Sequence, residues 1–206
     1  GGRYRVRYMG TKEATERVRG VEAVIKQPMP RSAWGEASIR AIQASTSPRE
    51  WAQELQAAVE DHNRSTEDRL RALEALQVYG PQPSRSRLTK LMGDADPKVR
   101  AQAVFLLGTF PLEQIRTPLT EALQDHDPLV ARRACEALVR AGLSADSVVL
   151  PSKELWQNLL MLLDDEDRFT RYAARLALQR CHKGKWPEAV FADSIEKRPR
   201  GALEGL

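Results

Sequence analysis

The chain has 206 residues, of which 42% are hydrophobic, 29% charged and only 6% aromatic, with a formal net charge of +4. That balance supports a packed core and excludes global disorder, and the scarcity of aromatics favours a helical array over a sheet protein, which wants more β-branched and aromatic residues. The charge is mild for the length, so an anionic partner is permitted but not demanded. Two cysteines, Cys135 and Cys181, make no disulfide framework, and no apolar run reaches the length of a membrane span.

Residues 3–9 alternate: Tyr4, Val6 and Tyr8 share one side, Arg3, Arg5 and Arg7 the other. This is a strand pattern, and no second one follows. A lone strand leaves its backbone groups unpaired. Together with the start Gly1-Gly2-Arg3, without an initiator Met or a signal-peptide pattern, it gives the expectation that residues 1–9 are an orphan strand from an upstream domain. Residues 10–33 read as a linker punctuated by Gly10, Gly20, Pro28 and Pro30, with a short apolar patch at Val21, Val24 and Ile25. A helical domain is expected over 34–192 and a tail over 193–206.

The first helix expected in that domain runs from about Ala33 to Ala44. Ser47-Pro48-Arg49-Glu50 is a helix start: Ser47 suits the N-cap, Pro48 the first turn, and Glu50 can reach back in a capping box. Trp51, Leu55 and Val59 then make one apolar face. Ser65-Thr66-Glu67-Asp68 opens the helix carrying Leu70, Leu73 and Leu76, and Gly80-Pro81 ends it. Further starts stand at Asp96-Pro97, Asp127-Pro128 and Asp167, with Gly108 and Gly142 as stops. An insertion spans roughly residues 144–153.

Aligned on a small residue, the units fall at Ala72, Ala103, Ala134 and Ala174, and each has a leucine four residues later: Leu76, Leu107, Leu138 and Leu178. The spacings are 31, 31 and 40 residues. Self-similarity at this period marks a stacked helical repeat. The fold class expected is therefore all-α: an α-α superhelix (solenoid) of about four helix pairs, preceded by a short extended segment.

The leucine-rich first helix, the turn ending in Asp-Pro and the second helix opening with Val-Arg and alanine resemble HEAT repeats of the short type found in phycobilisome lyases, over about residues 48–182. At the other end, Gly2-Arg3-Tyr4-Arg5-Val6-Arg7-Tyr8 is similar to the closing propeller strand of a family of large bacterial membrane-bound dehydrogenase-like proteins. Pro30-Arg31-Ser32-Ala33-Trp34 is similar to the start of that family's helical region. The resemblance implies that the segment joins a sugar-dehydrogenase-like propeller to a haem c module in an exported, periplasmic protein and has no active site of its own. Without it, a cytoplasmic location is expected.

The repeated polar residues have a structural reading. Asp96, Asp127 and Asp167 cap their helices, and Arg100 and Arg171 bond neighbouring loops, making a ladder along the stack. The alternative, an anion-binding stripe, is broken at Ala131. Arg132, Arg133, Arg140 and Arg175 fall on second helices, which usually line the concave face of such arrays, and are the candidate binding residues. Glu136, Asp164, Asp165 and Glu166 lie close by in sequence, and aromatic interleaving is sparse, so a solvated mixed-charge face is expected and nucleic acid is disfavoured. The run from Asp164 to Asp167 lacks the spacing of a calcium loop. Cys181-His182 looks like the end of a haem c attachment motif, but Leu178 stands where its first cysteine is needed. No metal and no cofactor is expected.

The leading functional expectation is thus a non-catalytic interaction or scaffold domain whose partners are proteins or adjacent domains of the parent chain. The alternative is a stand-alone lyase, glycosylase or nucleic-acid binder using the concave groove. A glycosylase would need a carboxylate such as Glu74 or Glu136 converging with the tryptophans.

Overall fold

The structure, a computed structural model, describes residues 19–143 and 152–181. The expected strand at 1–9, most of the insertion and the tail lie outside them. Among the described residues there are ten helices and no strand. None of these helices is long and apolar enough to cross a membrane.

Two short N-terminal helices, α1 (Gly20–Ile25) and α2 (Ala33–Ala44), precede four antiparallel pairs. The pairs are α3 (Pro48–Glu60) with α4 (Thr66–Tyr79), α5 (Arg85–Leu91) with α6 (Pro97–Leu107), α7 (Leu112–Ala122) with α8 (Pro128–Leu143), and α9 (Lys153–Leu162) with α10 (Arg168–Cys181). The second helices α4, α6, α8 and α10 stack on one another in that order and form one layer; the first helices form the other. The chain therefore carries a HEAT-like repeat domain.

The starts are chemical. Ser47 accepts from the Glu50 N–H at 3.2 Å while Glu50 accepts from the Ser47 N–H at 3.4 Å, a closed capping box with Pro48 beside it. Ser65, Ser84 and Ser152 cap α4, α5 and α9 by accepting from the N–H three residues on, without a carboxylate returned to the cap N–H. Asp96 accepts from the Lys98 N–H at 2.8 Å and Asp127 from the Leu129 N–H at 2.9 Å. At the other end of α4, Gly80 has φ +71°, a conformation that a side chain disfavours. Pro118 lies inside α7 and cannot donate to the Gln114 carbonyl; the guanidinium of Arg85, from the preceding first helix, donates to that oxygen at 2.8 Å instead.

The core is one continuous cluster between the layers. Ala72, Ala103, Ala134 and Ala174 are all fully buried, as are Leu76, Leu107, Leu138 and Leu178. Small residues at the first set let second helices approach closely. Cys135 is buried there as a small hydrophobe.

Two expectations need correction. Residues 20–25 lie in the segment expected as a linker, yet they form α1 and bury Val21, Val24 and Ile25 in the same core. Docking rather than helix propensity holds this six-residue turn. Arg71 donates to the Gln27 carbonyl at its end, and ion pairs Lys26–Asp68 (2.6 Å) and Arg64–Glu22 (2.7 Å) flank it. Gly142 does not stop α8, which runs on to Leu143.

Gly108 ends α6 against the backbone of α8. A Cβ there would lie 2.8 Å from the Ala137 Cα and 2.9 Å from its carbonyl oxygen, neither of which can swing away. Gly108→Ala should therefore destabilise the array by about 1–3 kcal/mol, as should Ala103→Leu, both by overpacking. Denaturant melts should show a lower midpoint at unchanged slope for each.

Candidate functional site

Arginines near the starts of the second helices, bonded into the turn within the next repeat, frame the site. Arg69, only 4% exposed, donates through Nε to the Val59 carbonyl at 2.8 Å and grips Asp94 of the next turn with both terminal nitrogens. Arg100 repeats this one unit on: Nε and Nη2 each reach the Asp125 carboxylate at 2.9 Å, and Nη1 donates to the Asp94 carbonyl at 3.0 Å. Each acid also accepts from its own turn, Asp94 from the Asp96 N–H and Asp125 from the Asp127 N–H, both at 2.9 Å. Arg171 donates to the Asp165 and Glu166 carbonyls at 2.9 and 3.1 Å. At the intervening position Ala131 offers no guanidinium, and Asp165 keeps the Asp167 N–H at 2.8 Å. Asp167 caps α10 from the Phe169 and Thr170 N–H groups, each at 3.2 Å.

Burial pushes the Asp94 and Asp125 carboxyls up, but the paired arginine and the turn amide outweigh it and hold both below the ordinary carboxylate range. Asp96 is held low too, chiefly by the Thr66 hydroxyl that donates to it. Asp94 and Asp125 are the residues that sequence reasoning missed. The signal was present as a repeated Asp-x-Asp: Asp94/Asp96, Asp125/Asp127 and Asp165/Asp167.

Because the turns tie up these arginines, what remains for a partner is the outer face of the second helices. Two neighbouring hollows lie on it. The larger, about 560 Å³, sits between the N-terminal helices and α4, α6 and α8; Arg31, Glu36, Glu74, Tyr79, Phe105 and Arg133 contribute to its wall. The smaller, about 430 Å³, sits between α8 and α10 and is lined by Arg132, Glu136, Val139, Phe169, Tyr172, Ala173 and Leu176. Arg133 hydrogen-bonds Glu136, so the two hollows meet across α8.

The candidate binding arginines belong to this strip. Arg133 and Arg140 lie over the Phe105 ring, their guanidinium carbons 5.1 and 4.5 Å from its centre. Arg132 and Arg168 flank Phe169 at 5.8 and 4.6 Å, and Arg175 lies over Tyr172 at 5.0 Å. Phe169 and Tyr172 are about half exposed, at 51% and 54%. Aromatic interleaving, which looked sparse in sequence, is thus concentrated here. The acids Asp164, Asp165 and Glu166, adjacent in sequence, sit in the α9–α10 turn and not among these arginines.

Among the described residues, neither hollow brings Glu74 or Glu136 together with a tryptophan. Glu74 is in the larger hollow, ion-paired to Arg31 at 2.7 Å, whereas Trp51 is buried with its indole N–H on the Gly80 carbonyl at 2.8 Å. Trp34 is exposed on α2 and lines neither hollow. Burial raises the Tyr79 phenol, with Glu36 and Glu74 adding to the effect and Arg40 opposing it.

A family model described as HEAT repeats matches residues 85–179. No curated protein matches the chain. Among solved structures, human deoxyhypusine hydroxylase in complex with glycerol is similar with a TM-score of 0.48 at 22% identity, over 67% of this chain and 45% of that one. A designed armadillo repeat protein in complex with the peptide (KR)4 is similar with a TM-score of 0.45 at 18% identity, over 88% and 96%. This chain thus spans less than half of the hydroxylase. The expectation that the segment is not an enzyme is withdrawn on this finding, since one of the similar structures is that of an enzyme.

Removing a rung's cation would leave a buried carboxylate unpaired. Arg69→Ala should cost about 3–5 kcal/mol. Because Asp94 and Asp125 titrate below the unfolded value of ~3.9, their contribution is complete above it and is lost as pH falls through the folded value. Urea melts from pH 7 to 3 should show a stability loss that begins below about pH 4 and is smaller in Asp94→Asn.

Proposed function

We propose that the domain is a protein-interaction scaffold that holds an extended polypeptide along the outer face of α4, α6, α8 and α10. The observation that carries this is the pair of adjoining hollows with Phe169 and Tyr172 half exposed beside them. Large aromatics that are rigidly based yet open to solvent are the side chains that anchor interfaces. The partner is another protein or an adjacent domain of the same parent chain. For the second case the proposal extends to an exported parent in which the segment bridges a propeller and a haem c module, supported by the sequence resemblance at residues 2–8 and 30–34.

Panning a random peptide library against the domain should yield binders. Their affinity should fall at least about tenfold in the Phe169→Ala/Tyr172→Ala double variant. Met161→Ala, an exposed apolar residue of the first-helix layer, should leave affinity unchanged. Binders that respond to Met161 and ignore Phe169 and Tyr172 would place the interface on the other layer.

A further inference from the structure

The two helix layers differ in charge. Across α6, α8 and α10 the sequence carries a single carboxylate, Glu136, against two basic residues on α6, three on α8 and four on α10. In these three repeats the other acids lie in the turns and on first helices, such as Glu113 and Glu121 of α7 and Glu154 of α9. Arg100 is internal, but Arg132, Arg133, Arg140, Arg168 and Arg175 border the two hollows or the rings beside them. This end of the groove is cationic, whereas the α4 end balances Arg31 with Glu74 and Arg71 with Glu67.

We infer that the α6–α8–α10 part of the groove selects an acidic peptide segment in which carboxylates alternate with apolar anchors; the inference rests on the polypeptide-binding reading above and adds the chemistry of the partner. A guanidinium stacked on a ring is held in plane, so part of the cost of ordering it for a charge-assisted hydrogen bond is already met. The hollow between α8 and α10 is floored by Val139, Ala173 and Leu176 and takes an apolar side chain. Stacked helices lie about 8–10 Å apart and an extended chain rises about 3.3 Å per residue, so the pattern repeats about every third residue. Glu136 argues for peptide over nucleic acid. It lies mid-strip, paired with Arg132 and Arg133, where a peptide can place an uncharged residue but an evenly charged phosphate chain cannot avoid it.

The test is fluorescence anisotropy with three labelled probes on the intact chain. They are a twelve-residue peptide with glutamate at every third position and leucine, serine and glycine between, the same peptide with lysine for glutamate, and oligothymidylate. The glutamate peptide should bind at least about tenfold more tightly than the lysine peptide and weaken steeply with salt. Arg168→Glu, at an exposed position, should reduce its affinity at least about fivefold with an unchanged thermal midpoint, whereas Arg49→Glu on α3 should not. A lysine peptide that binds as tightly as the glutamate one, or oligothymidylate that binds more tightly, overturns the inference. So does a glutamate peptide that fails to bind while library peptides still bind through Phe169 and Tyr172, an outcome that leaves the polypeptide-binding reading intact. If library peptides fail as well, both are overturned.

Discussion

A guanidinium inside a helical array is the costliest group this fold contains, and its placement dictates the rest. Desolvating an arginine is tolerable only when its donors are met and its charge is balanced. Arg69 and Arg100 achieve this by reaching across to a turn of the next repeat, Asp94 or Asp125, while bonding carbonyls nearer home. The acid is itself fixed by an amide two residues on. Each rung therefore locks two adjacent units into one offset. In both rungs the acid follows the arginine by 25 residues, while successive arginines follow at 31.

Fixed offset makes the second-helix face orderly. Positions related by the repeat spacing form columns: Arg71, Gln102, Arg133 and Ala173 in one, Glu74, Phe105, Glu136 and Leu176 in the next. The first three members of the second column are thus an acid, a ring and an acid, and Arg133 of the first column meets both Phe105 and Glu136. The hollows are gaps between columns. Towards α8 and α10 they are rimmed by arginines because α6, α8 and α10 carry a single acid, Glu136. A surface of this kind is laid out before any partner arrives, which lowers the ordering cost of binding.

Much of this architecture was legible in the sequence because it is written in local chemistry. Serine or aspartate before proline fixed the starts at Pro48, Pro97 and Pro128, and the alanine column with its following leucines marked the buried stripe. What escaped was long-range. The patch at Val21, Val24 and Ile25 belongs to a helix too short to be stable alone, held by contacts with residues more than forty positions away. Gly142 lies within α8 because nothing in a lone glycine forces a stop. For the site, Arg132, Arg133, Arg140 and Arg175 were visible as candidates, but their rings were not. Phe105 comes to Arg140 from the preceding repeat, and Asp164, Asp165 and Glu166 fold away into a turn while Glu136 stays with Arg132 and Arg133. Sorting residues by layer rather than by proximity along the chain reveals the charge asymmetry.

The central claim is that the arginine rungs set the geometry on which the binding face depends. A double-mutant cycle on Arg100 and Asp125, using Arg100→Met, Asp125→Asn and the combination, measures that coupling directly. The account predicts an interaction energy above about 1.5 kcal/mol, with the double variant less destabilised than the two single losses together imply. Additivity within about 0.5 kcal/mol would contradict it, showing that the repeats hold their register without the rung.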